Sequence, residues 1–260
     1  MRQPRSLDDE YLTIDDPTNG RRWRLPRRLV ERIDAEVTER WVANVLVPPA
    51  LLRAQVPLPF LQPTLVDGRG VLSLCAIFMR HAAPDWVPLH LTPASHNCAL
   101  RIACTDQRDG SPAVWVDHRY SDSPLAGALT SLGFPAVLPL LRCHRDGTGP
   151  TTRRLGLETL DLAIDCRLQQ RRDAIGSRLF ADATAFEDYF GAGIRSYGPG
   201  STADRCTVVD LVKHSDNHFQ ATELGGFVQT AWGRWPVESV YLTCAGRYSW
   251  QMRGQIACPA

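Results

Sequence analysis

The sequence predicts a β-rich domain carrying a few short helices, and three observations lead there. Asn97, Ala99, Arg101 and Ala103 alternate with Cys98, Leu100, Ile102 and Cys104, the period-two pattern of a strand with one wholly apolar face. The polar run Thr105 to Pro112 contains Asp109-Gly110, a turn signal, and Ala113 to Arg119 returns as a second strand, so the two form a hairpin. Val71 to Met79 is apolar on both faces, as in a barrel wall or the core of a sandwich.

The remaining elements follow from the N-terminus onward. Residues 1–34 read as a polar arm ending in the arginine-rich run Arg21-Arg22-Trp23-Arg24-Leu25-Pro26-Arg27-Arg28, a solvated lead-in or a grip for a partner or phosphate. Ala35 to Val47 reads as a strand, and Pro48-Pro49 opens a short helix through Ala54. Arg80 to Pro93, with His81, Trp86 and His90, reads as a loop. Ser123-Pro124 starts a helix that Gly133 stops near Leu132, since a serine can cap free amides and a proline suits the first turn. Val137 to Cys143 and Leu160 to Leu168 are further strands. Thr184 and Glu187 form a capping box ahead of a helix over Ala185 to Phe190. Ile194 to Gly200 reads as a turn-rich link to the strand Thr207 to Lys213, and a final pair of strands covers Ser239 to Ala245 and Tyr248 to Ile256.

Composition narrows the function. The chain has 260 residues, 44% of them apolar, enough for a substantial core, and residues 35–260 are expected to form one domain. A net charge of +1 supplies no overall field to draw in nucleic acid or an anionic membrane, so neither partner is expected and a small molecule fits better. The N-terminus lacks the apolar core of a signal peptide, and no apolar stretch approaches the roughly 20 residues of a membrane helix, which places the protein in the cytoplasm. The eight cysteines follow no scaffold spacing and form no C-x-x-C pair, so reduced, buried thiols are expected.

Several side chains can do chemistry. Asn97 and Arg101 share a strand face, and if that face lines a cavity the guanidinium can clamp a carboxylate while His96 handles a proton. His118, Arg119 and Asp122 lie where a strand leads into a helix start, a place to hold an anionic group. The catalytic set is then His96, His118 and Arg119, with Asn97, Arg101 and Asp122 binding substrate; the alternative for His118 is a core histidine in a capping network. His214-x-x-x-His218 has the spacing of metal ligands on a helix, but the flanking residues read as strand and turn, so no metal is expected. No dinucleotide or phosphate-loop motif, Gly-x-Ser-x-Gly or His-Glu-x-x-His occurs, and no cofactor is expected. Lys213 is the sole lysine and ends a strand in a polar run, where solvent keeps its amine protonated.

The order from Asn97 to Arg142, a hairpin, a short helix and the turn Gly133-Phe134-Pro135, resembles the acetoacetate decarboxylase-like superfamily, as do Arg195-Ser196-Tyr197 and Val209-Asp210-Leu211. The resemblance implies an α+β fold: a curved, mostly antiparallel sheet of about ten strands, closed or partly closed into a barrel around a cavity, commonly in a homo-oligomer. In the decarboxylases a Schiff-base lysine directly follows the Gly-(Phe/Tyr)-Pro turn, whereas here Ala136 follows, and the family's acidic residue falls near Asn97. The resemblance therefore implies an uncharacterised branch without the lysine. It leaves two readings: a lyase, cyclase or isomerase-like enzyme acting on a small carboxylate or carbonyl compound, or a non-catalytic binding or scaffold protein that kept the barrel.

Overall fold

A computed structural model describes residues 11–15, 22–26, 31–85, 87–131, 134–140, 142–147, 152–170, 177–180, 184–185, 188–189, 195–200, 202–214 and 219–258. In chain order the strands are β1 (Tyr11–Asp15), β2 (Arg22–Pro26), β3 (Arg32–Val47), β4 (Leu61–Pro63), β5 (Leu65–Val66), β6 (Arg69–Pro84), β7 (Ser95–Asp106), β8 (Pro112–Ser121), β9 (Leu138–Pro139) and β10 (Arg142–Gly147). They continue with β11 (Thr152–Glu158), β12 (Ala163–Gln170), β13 (Arg195–Pro199), β14 (Arg205–Lys213), β15 (Phe219–Thr230) and β16 (Gly233–Ala257). Among the described residues the helices α1 (Pro49–Ala54) and α2 (Pro124–Ser131) interrupt them.

Seven strands close into a barrel in the order β16-β14-β13-β8-β7-β6-β3, with β3 returning to β16. The barrel is antiparallel except where β13 runs parallel to β8. A parallel pair needs a long crossover, and here the crossover contains α2 and the strands β10, β11 and β12. Those strands form a wing that joins β15 and, through it, β16. β1 and β2 pair with each other as a separate two-stranded sheet.

Period two decides which side chains fill which space. Trp41, Leu72, Leu74, Leu100, Ile102 and Trp115 of the barrel pack against Leu155, Leu157, Ile164 and Cys166 of the wing, making the main core between the two layers. The opposite side chains of the same strands point into the barrel. There Asn44 donates to Ser239 Oγ at 3.0 Å and accepts from Ser73 Oγ at 2.8 Å, satisfying a wholly buried amide. Leu179 and Phe180 pack on Val42, Val71, Cys75 and Tyr241. The turn that carries them hangs on Glu238, whose carboxylate accepts from Ser177 Oγ at 3.0 Å and from the Arg178 and Leu179 amides at 2.6 and 3.1 Å. Glu238→Ala leaves these donors without their acceptor and is expected to cost about 1–2 kcal/mol, lowering the melting temperature by about 2–6 °C and speeding amide exchange at residues 177–180.

The fold agrees with the expected class and departs from it in detail. Seven strands close the barrel, fewer than about ten, because the others build the wing. The final pair of strands is one continuous β16: the register with β3 is kept from the Cys244–Glu39 pair to the Gly246–Val37 pair, past Ala245 with its φ of 49°, so no hairpin forms there. Residues 195–199 form a barrel strand rather than a link. β6 runs on to Pro84, placing His81 in a strand with Nδ1 2.6 Å from the Thr92 carbonyl oxygen. Val137 to Cys143 is not one strand but two, β9 and the start of β10. Cys206 and Cys258 are disulfide-bonded with Cα atoms 5.2 Å apart, while Cys75, Cys98, Cys104, Cys143 and Cys166 are free, so the expectation of reduced thiols throughout is corrected. Gly133 and His218 lie outside the described residues. Among the described residues no helix is long and apolar enough to cross a membrane.

Candidate functional site

The inward faces of β3, β6, β7 and β8 line a cavity of about 170 Å³, capped by Leu129 of α2 and by Phe134 and Trp250. One water occupies about 10–15 Å³ on such a measure, so the space suits a small organic molecule. Its walls are largely apolar, but three guanidinium groups enter it, from Arg40, Arg101 and Arg119. Among the described residues no aspartate or glutamate lines it.

Strand register explains the grouping. Cys75 on β6 lies opposite Ala99 on β7, and Ala99 lies opposite Arg119 on β8. Arg101 stands opposite Ser73, one step along the same face from Ala99, whose methyl leaves room between the larger groups. Arg40 reaches in from β3 and donates from Nε to Cys75 Sγ at 3.1 Å. Asn97 continues the Arg101 face and donates to Ser95 Oγ at 3.0 Å, both residues lining the cavity.

The electrostatics follow from burial. Burial pulls the Arg119 guanidinium down to about 9, and the neighbouring Arg101 charge adds to this, yet the group is still protonated at neutral pH. Its Nη1 is buried with no hydrogen-bond partner. Arg101 is lowered for the same reasons, burial first and then Arg40, against the opposing pull of Cys75. Burial alone would raise the Cys75 thiol, but the charges and hydrogen bonds of Arg40 and Arg101 outweigh it and bring the thiol below its ordinary value. Tyr248, also in the wall, is raised chiefly by burial and stays protonated.

Of the residues singled out in the sequence, Asn97, Arg101 and Arg119 meet at this cavity, while His96, His118 and Asp122 are not among its walls. His96 alternates with Asn97 and so faces the other way. Its Nδ1 lies 2.5 Å from Asp122 Oδ2, and its amide donates to Asp122 Oδ1 at 2.8 Å, which ties the strand end to the start of α2. His118 Nδ1 sits 2.7 Å from Asp117 Oδ2, and this hydrogen bond, against the effect of burial, raises its pKa. Lys213 is exposed at the end of β14, away from the cavity walls. His214 Nε2 contacts Ser249 Oγ at 2.6 Å, and among the described residues no cluster of three metal-ligating side chains occurs. Arg40, Cys75 and Tyr248 went unnoticed in the sequence. Arg40 sits in a strand that also carries Asp34, Glu36 and Glu39, so its charge does not stand out, and Cys75 lies in an unbroken apolar run.

No protein-family model matches the chain, and no curated protein does. Solved structures do resemble it. An acetoacetate decarboxylase-like enzyme from Sphingomonas wittichii RW1 is 14% identical with a TM-score of 0.56, covering 88% of this chain and 94% of that one. The enduracididine biosynthesis enzyme MppR, complexed with pyruvate, is 12% identical with a TM-score of 0.55, covering 88% and 90%. Acetoacetate decarboxylase from Legionella pneumophila subsp. pneumophila is 10% identical with a TM-score of 0.55, covering 100% and 92%. The chain therefore has the acetoacetate decarboxylase-like fold, the class its sequence resembles.

Proposed function

We propose that this chain is an enzyme of small-molecule metabolism that takes a small carboxylate or carbonyl compound into the barrel cavity and works without a Schiff-base lysine, in a lyase, cyclase or isomerase-like reaction. The observation that carries the reading is the buried, unpartnered Nη1 of Arg119, together with Arg40 and Arg101, in a cavity that no carboxylate of the described residues lines. Buried charge of one sign is unfavourable unless a counter-charge meets it, and a ligand carboxylate is the counter-charge that fits. Asn97, Arg101 and Arg119 then bind the ligand, and the apolar groups Ile77, Met79, Leu129 and Trp250 hold its carbon skeleton. Pyruvate in the complex of the similar MppR is a ligand of this kind. The lysine-independent part of the reading is supported by Ala136, which follows the Gly133-Phe134-Pro135 turn, and by the exposed position of Lys213. We place the protein in the cytoplasm as a homo-oligomer that uses no cofactor and binds neither nucleic acid nor membrane.

That no imidazole of the described residues stands in the cavity walls favours a second reading, a binding protein without turnover. Both readings share one test of the site. Pyruvate and acetoacetate are compared with their uncharged amides in thermal unfolding of the intact protein. At a hundred times the dissociation constant the carboxylates are expected to add about 2.7 kcal/mol, or about 5–10 °C, and the amides far less. The gain should hold to about pH 8 and fade above the value of about 9 at which Arg119 gives up its proton. Equal stabilisation by the amides, or none by any carboxylate, overturns the reading. Consumption of the carboxylate, followed by proton NMR, separates enzyme from binding protein.

A further inference from the structure

Cys75 packs with Val42, Val71 and Tyr241, but packing alone does not explain what its sulfur meets. Its neighbours on the apolar faces of β6 and β7 fill the core, as Leu74, Ala76, Cys98 and Leu100 do. Cys75 also stands in the cavity wall, 1% exposed, with its sulfur receiving the Arg40 Nε–H at 3.1 Å. Arg101 and Tyr248 are close enough to interact with it electrostatically. A neutral buried thiol needs no guanidinium, whereas a thiolate does. The other free cysteines are in the opposite condition: burial pushes Cys104 and Cys166 up to about 12 and Cys143 up to about 11. A second, independent feature points to a ligand beside Cys75, the orphaned Nη1 of Arg119 on the same wall.

We infer that Cys75 is a nucleophile that adds reversibly to the carbonyl carbon of an oxo-carboxylate whose acid group is held by Arg101 and Arg119. This rests on the carboxylate reading above and gives the site a covalent step that needs no amine. The sulfur lone pair forms the C–S bond, and the carbonyl π pair moves onto oxygen. The oxygen takes the proton of the Tyr248 hydroxyl, which solvent restores, and the product is a hemithioketal. Collapse by the reverse path returns the thiolate, so no oxidant or further reactant enters. The three positive charges that surround the thiolate and the ligand carboxylate keep both anions in one small cavity.

Two measurements on the intact wild-type protein test this. With bromopyruvate, which alkylates a thiolate as bromide leaves, Cys75 is expected to react at least about tenfold faster than Cys143, because a lowered thiol pKa raises the thiolate fraction at neutral pH and the arginines gather the anionic reagent. Pyruvate should slow the labelling, and peptide mass mapping should place it. With [2-13C]pyruvate, the bound carbonyl resonance should move into the tetrahedral carbon region in wild type and remain a carbonyl in Cys75→Ser. If Cys143 or another thiol labels before Cys75, or if pyruvate binds to wild type with its carbonyl intact, the nucleophile assignment is overturned while the carboxylate site stands. If Cys75 labels first but neither pyruvate protection nor carboxylate-dependent stabilisation is seen, the carboxylate reading fails, and the oxo-carboxylate adduct fails with it.

Discussion

Arg119→Met is expected to raise the melting temperature of the ligand-free protein by about 4–8 °C and to remove its stabilisation by carboxylates. In the folded chain the guanidinium holds its proton only to about 9, well below the ordinary arginine range, because burial and the Arg101 charge disfavour the charged form. Each tenfold change in proton affinity is worth about 1.4 kcal/mol, which bounds the cost of the buried charge near 5 kcal/mol, and about 2 kcal/mol is expected to survive screening by water in the cavity. The sign is fixed by which state holds the proton. Above about 9 the unfolded chain keeps a proton that the folded chain sheds, so wild-type stability rises as pH goes up from there, and below 9 the full cost remains. The advantage of the methionine variant should therefore shrink as pH rises through 9. Methionine has comparable length and no charge, so the packing against β13 is retained. A melting temperature that falls on substitution would show that the guanidinium is already neutralised in the empty protein, and the case for a missing anion would go with it. A site that destabilises its own fold and is relieved by its ligand is the usual relation between stability and function.

How much of this was legible in the sequence depended on period. Asn97 and Arg101 declared a common face by alternation alone, and both line the cavity. The same alternation turns His96 outward to Asp122, because adjacent residues on a strand cannot share a face. Arg119 was singled out by its place at a strand end, and the predicted hairpin brings it near Arg101, but nothing in the sequence says that Gly198, from a strand far along the chain, would press on it. Glycine hid two elements. Gly198-Pro199 looks like a turn yet belongs to β13, and Gly225-Gly226 interrupts the pattern of β15, where Gly226 sits at φ of 147° against the backbone of Asp165. Cys75 could not be found by pattern at all, since a cysteine in an apolar strand reads as core until three-dimensional packing puts an arginine on its sulfur.

Gly198→Ala is expected to cost about 2–3 kcal/mol, lowering the melting temperature by about 5–10 °C, and to weaken carboxylate binding together with stability. A Cβ at this position would lie 2.6 Å from Arg119 Nη1 and 2.6 Å from the Val116 carbonyl oxygen, both nearer than real Cβ atoms approach. The two contacts respond differently. The guanidinium ends a flexible side chain and can swing away, but doing so takes Nη1 out of the place where it meets the ligand. The Val116 oxygen is fixed in β8, beside the parallel seam where Ser196 and Tyr197 of β13 face Val114 and Trp115. That seam is a link of the barrel ring, and Thr207 Oγ1 also donates to the Gly198 carbonyl oxygen at 3.3 Å, so β13 is held from its other side too. The strands must part by several tenths of an ångström or the ring must distort, which is the source of the cost. Pairing the substitution with Arg119→Met separates the terms: the double variant should recover the part due to the guanidinium and keep the part due to the Val116 oxygen, so the two changes should not add. A Gly198→Ala protein that melts like wild type and still answers to carboxylates would mean that β13 does not press on Arg119. The cavity would then owe its orphaned charge to something other than the close approach of these two strands.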